Sequence, residues 1–421
     1  MAHSRCEQRR CPGSHEGPVG RVNRCKHLHS EHPNFHSASI RVGFLRKLKS
    51  PMVTQVRRNL NVAPVMDRCR YGLDLVFANR AQYNNHQTHW ETAVKPTIPI
   101  MFCFDNEYAI PAAVAFRSLL DNASKEFFYK LFVAHTDISP DNQAKLRKVG
   151  IHFRENVSIE FLQMQHRFED LWKKTKTKGH YSKEALYKLI APSLFPQYDK
   201  IIVSDVDVVF LGDLSPSYFS FDTAEDIYVA GVPGVGKILN ILDVYRNDFS
   251  QEEINKMVIN AAYMVFNLDK MRKDNVQASF LKCAETDHWR LLQLEQDVIN
   301  LCCYPKIKFL PLKNVMCNYV YDLYKADEDF DNDKTFSRQE LQEAMEHPTL
   351  LHYPGLKKPW KDIDCTKAHE WVKYLAKTPF CEEVCLRSPA HRNLIASDAS
   401  KGAWNLKTSW NRMFGPRRRV G

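Results

Sequence analysis

The sequence has no long apolar run. No stretch approaches the roughly 18 consecutive apolar residues that a helix needs to cross a bilayer. Residues 1–20 contain no apolar segment of the kind found in secretory signals. The 12 cysteines are scattered along the chain, and a disulfide framework is not expected in a cytosolic protein. We therefore expect a cytoplasmic protein, either free or peripheral on the inner face of the plasma membrane.

Net positive charge is absent from the middle of the chain and concentrated at its ends. Residues 1–95 carry a net charge of +10 and residues 387–421 carry +7, which leaves residues 96–386 near −7. Basic ends can contact nucleic acid, anionic lipid or an acidic polymer, and they are also typical of solvated tails. We favour solvated tails and expect no nucleic-acid partner.

Residues 1–95 also have little apolar periodicity and are rich in Arg, His, Asn, Pro and Ser. This composition predicts a basic, mostly irregular N-terminal extension. The spacing of its thiols and imidazoles matches none of the usual paired-ligand patterns of zinc sites, so zinc is not expected there. The residues concerned are Cys6, Cys11, Cys25, His27 and His29.

From residue 98 the pattern changes to short apolar runs that alternate with helical periodicity. The runs are Ile98–Phe104, Tyr129–Ala134, Val157–Leu162 and Lys200–Ser204, and helices are expected around Pro111, from Ser139 to Gly150 and from Ser182 to Leu194. This rhythm predicts an α/β fold with a Rossmann-like, doubly wound, mostly parallel sheet. Ligands bind such sheets at the carboxyl ends of the strands, where Asp105 and Asp205 fall.

Asp205 and Asp207 form a D-x-D motif directly after an apolar strand. In extended chain, side chains two residues apart project to the same side. Two carboxylates that face one point repel each other unless a cation lies between them, and oxygen ligands suit Mg²⁺ or Mn²⁺. The pattern is consistent with a metal site and equally with two solvated aspartates at a strand end.

A second group of polar residues lies in the segment from His352 to Trp360. A neutral imidazole at His352 can complete a carboxylate-bound metal site. Gly355 lets backbone N–H groups approach a phosphate, and Lys358 supplies a positive charge for it. Taken alone, the segment is also typical of a proline-rich surface loop.

Together these motifs resemble glycosyltransferase family 8, a group of retaining enzymes with the GT-A fold that includes bacterial lipopolysaccharide galactosyl- and glucosyltransferases. The D-x-D motif is followed by H-x-x-G-x-x-K-P-W, and the other landmarks are FDNEY at 104–108, ALYKL at 185–189, NAAYMVFNL at 260–268 and LEQDVIN at 294–300. The resemblance implies a GT-A catalytic domain over residues 96–362 and a small C-terminal helical extension with a basic tail over 363–421.

The resemblance also implies the roles of the matching residues. The implied metal ligands are Asp205, Asp207 and His352, which would hold Mn²⁺, or Mg²⁺, against the diphosphate of a UDP-sugar donor. The implied donor-binding residues are Asp105 and Tyr108 at the uridine, Gly355 and Lys358 at the diphosphate, and Asn260 and Ala261 at the sugar. The implied catalytic residues are Lys188, Glu295 and Gln296, with Gln296 orienting or stabilising an oxocarbenium-like state in front-face attack.

Three positions around the hexose depart from the family pattern. Lys188 stands where arginine is usual, Glu295 where aspartate is usual, and Ala262 where glycine is usual. The resemblance implies transfer of galactose or glucose from a UDP-hexose to a lipid-linked oligosaccharide, such as a lipopolysaccharide-core or related surface glycan. The three departures leave a degenerate sugar-nucleotide-binding or assembly protein as the alternative.

Two further segments have ligand-like patterns. Residues 329–340 have the oxygen spacing of an EF-hand loop, but Lys334 stands where the sharp turn needs glycine. Acidic residues preceding a helix are therefore the preferred interpretation. Residues 403–419 mix aromatic and basic side chains, which suits an anionic membrane surface, with a solvated terminus as the alternative.

Overall fold

The computed structural model describes residues 95–165, 167–175, 181–234, 243–326 and 336–400. In these ranges the strands are β1 (Thr97–Cys103), β2 (Phe128–His135), β3 (Val157–Gln163), β4 (Lys200–Ser204), β5 (Val208–Phe210), β6 (Val229–Pro233), β7 (Ile259–Asn267), β8 (Ile307–Phe309), β9 (Met316–Cys317) and β10 (Leu350–His352). The helices are α1 (Ala109–Asn122), α2 (Pro140–Val149), α3 (Glu169–Lys174), α4 (Ala191–Leu194), α5 (Ser215–Tyr218), α6 (Asp243–Arg246), α7 (Gln251–Met257), α8 (Leu268–Lys273), α9 (Val276–Thr286), α10 (Glu295–Cys303), α11 (Asn318–Ala326), α12 (Arg338–Glu346), α13 (Ala368–Leu375), α14 (Cys381–Arg387) and α15 (Pro389–Ser400).

The main sheet has the strand order β3-β2-β1-β4-β7-β6-β8. Neighbouring strands are parallel except β7, which is antiparallel to both β4 and β6. Along β1, Ile100 and Phe102 face one buried core while Met101 and Cys103 face the other. A strand that buries both faces needs a continuous apolar run, which is the pattern that the sequence shows. The predicted mostly parallel α/β fold is confirmed.

Local signals in the sequence set most of the element boundaries. The Ser139 hydroxyl accepts a hydrogen bond from the Asn142 backbone N–H, and α2 ends at Val149 with Gly150 following it. The helix expected from Ser182 to Leu194 is different: Lys183–Ile190 is a 3₁₀-helix and only Ala191–Leu194 is α-helical. Pro192 has no N–H to donate to the carbonyl of Lys188, so one continuous α-helix cannot form there.

A second, smaller sheet has the order β5-β10-β9. β10 is antiparallel to β5 and places His352 opposite Val208. It is parallel to β9 and places His352 beside Cys317. Because β5 begins one residue after Asp207, this register brings residues about 145 positions apart in the sequence to one place.

The C-terminal helices pack on the same core as α1. Trp371 is fully buried in that core, the Asn122 amide donates to the Tyr374 hydroxyl at 2.9 Å, and Lys377 pairs with Asp121 at 2.6 Å. Among the residues described, no helix has the length and apolarity needed to cross a membrane. The zinc-like residues of the N-terminal extension and the tail at 403–419 lie outside the described residues.

The EF-hand-like segment lies mostly outside the described residues. Its last residue, Glu340, belongs to a capping box: the Ser337 hydroxyl accepts from the Glu340 N–H at 3.2 Å, and the Glu340 carboxylate accepts from the Ser337 N–H at 2.8 Å. Glu340 therefore caps α12 in this structure, as the preferred interpretation of an acidic helix start predicts.

Candidate active site and metal centre

The D-x-D motif forms the connection between the two sheets. The Asp205 N–H donates to the carbonyl of Ala262 on β7 at 2.9 Å, and the Asp207 carbonyl accepts from the Tyr353 N–H at 3.0 Å. One backbone bond thus fixes the motif to each sheet. The two aspartates lie at the carboxyl end of β4, the edge at which the sequence predicts a ligand site.

Asp205, Asp207 and His352 come together as the motifs predict. One ligand atom from each of the three side chains lies within 4.8 Å of the others. His352 is buried, and its Nε2 lies 3.5 Å from the nearer oxygen of Asp207. Two carboxylates and an imidazole are a donor set that Mn²⁺ or Mg²⁺ accepts, so these residues fit the predicted ion.

Two neighbouring cationic groups, Lys358 and His352, stabilise the ionised form of Asp207. Burial alone would raise the pKa of Asp207, but Lys358 and His352 outweigh it and hold the pKa well below its usual range. Burial alone would lower the pKa of His352, but Asp207 outweighs it and raises that pKa to about 10. A metal ligand has to be a neutral imidazole, so binding of an ion at His352 would release a proton.

Lys358 lies behind the metal residues. It is 2% exposed, and its Nζ donates to Oδ2 of Asp207 and to the carbonyl of Tyr353, each at 2.6 Å. Gly355, at the turn between His352 and Lys358, has φ +75°, a conformation that costs glycine little. The structure therefore brings Lys358 to the predicted metal carboxylate.

The residues predicted at the uridine follow β1. Asp105 caps the short 3₁₀-helix Asn106–Tyr108, with one carboxylate oxygen accepting from the N–H of Glu107 at 3.0 Å and of Tyr108 at 3.2 Å. Burial, and then the charge of Glu184, raise the pKa of Asp105 to about 6. The Tyr108 ring packs edge-on against Trp360, with 5.7 Å between centroids.

The predicted sugar residues form a second group of contacts, the sugar wall. The Lys188 Nζ is 2.5 Å from Asp205 and 2.8 Å from Glu295, and it also donates to the Ala261 carbonyl at 3.2 Å. The Gln296 side-chain oxygen accepts from the Ala261 N–H at 2.8 Å. These contacts join the start of α10, the start of β7 and the D-x-D motif.

Asn260 lies between the sugar wall and the metal residues. Its side-chain oxygen accepts from the Ala262 N–H at 2.9 Å, which directs the amide nitrogen towards His352. That nitrogen lies 3.5 Å from Nδ1 of His352 and 3.4 Å from the Cys317 sulfur. Asn260 thus contacts the predicted metal ligand His352 as well as belonging to the predicted sugar pocket.

One cleft is lined by most of the predicted site residues: Tyr108, Asp205, Asp207, Asn260, Ala261, Glu295, Gln296 and His352. Its volume is about 210 Å³. Lys188, Lys358, Asp105 and Gly355 do not line it. The first two are buried behind the carboxylates that do, and Asp105 lines a neighbouring shallow depression with Glu184.

Several residues that line the cleft were not predicted. Cys317 lies 3.7 Å from Nδ1 of His352, and Tyr181 and Gln293 also face the cleft. Gln293 is three residues before Gln296, so its proximity could have been read from the motif. Cys317 has no such signal, because it reaches the cleft only through the pairing of β9 with β10.

The profile of Glycosyl transferase family 8 matches residues 99–364. This match covers well over half of the chain and contains every predicted site residue. The chain belongs to glycosyltransferase family 8, and the GT-A fold and the grouped motifs agree with that membership.

Two curated bacterial proteins are similar in sequence. General stress protein A of Bacillus subtilis (strain 168) is 25% identical over 265 residues, which cover 62% of this chain and 86% of that protein. Glycosyltransferase GlyA of Streptococcus pneumoniae serotype 4 is 26% identical over 186 residues, which cover 43% of this chain but only 22% of that protein.

Two solved structures share the fold. The bifunctional glycosyltransferase WbbM superposes with a TM-score of 0.57 at 22% identity, over 71% of this chain and 53% of that one. The galactosyltransferase LgtC, in complex with donor and acceptor sugar analogues, superposes with a TM-score of 0.52 at 18% identity, over 67% of this chain and 96% of that one. The chain thus spans about half of WbbM and nearly all of LgtC.

Proposed function

We propose that this glycosyltransferase moves galactose or glucose from a UDP-sugar to a hydroxyl group of a glycan, with retention at the anomeric carbon. The observation that carries the proposal is the convergence of Asp205, Asp207 and His352 within 4.8 Å in one cleft, with Glu295 and Gln296 lining the same cleft. A sugar nucleotide needs a cation for its diphosphate and hydrogen-bonding groups for its sugar hydroxyls. This cleft would supply residues for both.

The donor would lie along the cleft with its diphosphate at the metal residues. Asp205, Asp207 and His352 would hold Mn²⁺ or Mg²⁺, which supplies Lewis-acid stabilisation of the charge on the leaving diphosphate. Lys358, bound to Asp207, adds positive charge to this end. Asp105 and Tyr108, which follow β1, would contact the uridine.

Gln296 would act at the anomeric carbon. Its side-chain oxygen is held by the Ala261 N–H at 2.8 Å, and its amide nitrogen is hydrogen-bonded to Gln293. An amide is a poor nucleophile, so these bonds suit a group that orients the donor or stabilises positive charge in front-face attack. A covalent intermediate on Gln296 is not required.

The acceptor would be an oligosaccharide, such as a lipopolysaccharide-core or related surface glycan. The cleft is also lined by the amides of Gln251, Asn255 and Gln293, which can bond to sugar hydroxyls, and none of the described residues that line it is Lys or Arg. This lining suits a neutral sugar at the acceptor end. The acceptor would be linked to a lipid, and the tail at 403–419 would contact an anionic membrane surface.

The test is a screen of UDP-hexoses for Mn²⁺-dependent transfer and hydrolysis, with Asp207→Asn as the matched variant. We expect turnover of UDP-galactose or UDP-glucose, and its loss by about 100-fold in a variant whose thermal melting shows that it is folded. Undiminished turnover in Asp207→Asn would remove the metal assignment.

A second candidate is a degenerate sugar-nucleotide-binding protein. The exchanges at Lys188, Glu295 and Ala262 favour it, because all three surround the predicted sugar site. Calorimetric titration with UDP and Mn²⁺ separates the two: tight UDP binding without turnover of any common donor supports the binding protein.

A further inference from the structure

Lys188 is almost completely enclosed by protein. Its side chain is 1% exposed, and its Nζ has three acceptors: Asp205 at 2.5 Å, Glu295 at 2.8 Å and the Ala261 carbonyl at 3.2 Å. An ammonium group has three N–H donors. Each donor therefore has an acceptor in the protein, and none remains for a bound sugar.

Glu295 has the opposite arrangement. One carboxylate oxygen accepts from Lys188, while the other, Oε2, is buried and has no hydrogen-bond partner among the described residues. Glu295 is 4% exposed and lines the cleft. Because a buried polar atom without a partner is costly, Oε2 marks a position where a ligand donor completes the site. A sugar hydroxyl is such a donor.

The charges at this junction depend on one another. The Nζ of Lys188 lies 2.5 Å from Asp205 and 2.8 Å from Glu295, so it bridges the two carboxylates. The single ammonium thus joins Asp205, a predicted metal ligand, to Glu295, a predicted sugar ligand. Removal of the ammonium would leave two carboxylates facing each other in a largely buried place.

The two side chains also differ from the family pattern in complementary ways. Lysine is shorter than the usual arginine and lacks its fork of donors, and glutamate is one methylene longer than the usual aspartate. A shorter cation and a longer anion can span the same gap. In this chain Lys188 and Glu295 do span the gap, with 2.8 Å between Nζ and the nearer carboxylate oxygen.

We propose that Lys188 is a positioning residue that does not touch the donor, and that it acts with Glu295 as a length-matched pair. Lys188 fixes Asp205 for the metal and Glu295 for the sugar, and of these two residues only Glu295 contacts a donor hydroxyl. This inference rests on the proposed function. It differs from the expectation that Lys188 is itself catalytic.

The experiment is a double-mutant cycle with Lys188→Arg, Glu295→Asp and the two combined. We measure Mn²⁺ affinity in the presence of UDP, kcat and KM for each UDP-hexose, and thermal melting. Lys200→Arg is the matched control, because Lys200 is also buried in its strand but donates to the Phe221 carbonyl at 2.8 Å, away from the cleft.

We expect each single variant to lose activity, and the double variant to recover it with a coupling of roughly tenfold. Lys188→Arg should weaken Mn²⁺ binding and lower kcat for all donors equally, whereas Glu295→Asp should change the ratio of kcat/KM between donors. Lys200→Arg should leave Mn²⁺ affinity unchanged.

Two results would overturn the inference. The first is strict additivity of the two single exchanges. The second is a change of donor preference in Lys188→Arg with unchanged Mn²⁺ affinity, which would mean that position 188 reads the sugar. Failure of the proposed function looks different: the unaltered protein would turn over no donor, while the coupling would still be measurable in Mn²⁺ affinity and thermal melting.

Discussion

Lys358 and Asp207 form a buried ion pair directly behind the cleft. Nζ of Lys358 lies 2.6 Å from Oδ2 of Asp207, and the lysine side chain is 2% exposed. The pair joins the late H-x-x-G-x-x-K motif directly to the D-x-D motif. A divalent ion at the candidate metal site would therefore share this carboxylate with Lys358, the residue predicted at the diphosphate.

This pairing predicts opposite effects of Lys358→Met on two ligands. UDP affinity should fall roughly 10- to 100-fold, because a positive charge close to the predicted diphosphate site is lost. The rise in melting temperature on addition of Mn²⁺ should be larger than in the unaltered protein, because the ion then replaces a missing cation beside Asp207. Differential scanning fluorimetry with Mn²⁺ and with UDP measures both.

Lys361→Met is the control for that experiment, since Lys361 is exposed and lies on the same loop. It should change neither response. A smaller Mn²⁺ response in Lys358→Met than in the unaltered protein would contradict the shared role of the carboxylate.

Asp105 predicts a pH-dependent stability. Its pKa is about 6 in the folded chain, whereas an unfolded aspartate titrates near 4. The folded state therefore holds a proton that the unfolded state has lost, and stability falls as the pH rises through 6. Asp105→Asn should raise the free energy of unfolding by about 1 kcal/mol at pH 7.5, with allowance for partial solvent screening, and by almost nothing at pH 4.

Urea denaturation at the two pH values checks this prediction. A gain of equal size at pH 4 and pH 7.5 would point to a cause other than ionisation. If Asp105 binds the uridine, the same variant should bind UDP more weakly, so the carboxylate would cost stability in return for ligand binding.

The sequence predicted the strands and the paired aspartates Asp205 and Asp207 for one physical reason. Buried parallel strands need continuous apolar runs, and the polar residues that follow them stand out at once, as Asp205 does after Lys200–Ser204. His352 is different: its place beside Asp207 depends on the antiparallel register of β10 with β5. No local pattern encodes that register, and the late motif was recognisable only through its resemblance to a family.

The contacts of Lys188 and Lys358, the two buried lysines beside the cleft, could not be predicted at all. Lys188 and Lys358 were expected at the ligand, yet each donates to a carboxylate of the protein. A side chain of this length can reach several acceptors, and its choice is decided by tertiary packing. The break between the 3₁₀-helix that carries Lys188 and the α-helix that follows it was missed for a local reason, the proline at position 192, which the expected helix ignored.

Gly355 predicts that the backbone of the late motif has a role separate from its side chains. Its φ is +75°, and a Cβ added there would meet nothing within 4 Å, so Gly355→Ala introduces backbone strain without a steric clash. The strain should cost about 1 kcal/mol of stability and displace the loop that carries Lys358. UDP affinity should therefore fall, while Mn²⁺ binding alone should persist because His352 lies in β10.

Gly212→Ala is the matched control: its Cβ would make ordinary contacts at 3.5 Å with Thr349, and no left-handed φ opposes it. Calorimetric titration of both variants with UDP and Mn²⁺ decides the matter, and equal UDP affinity in the two would show that the left-handed turn at Gly355 is dispensable for the diphosphate.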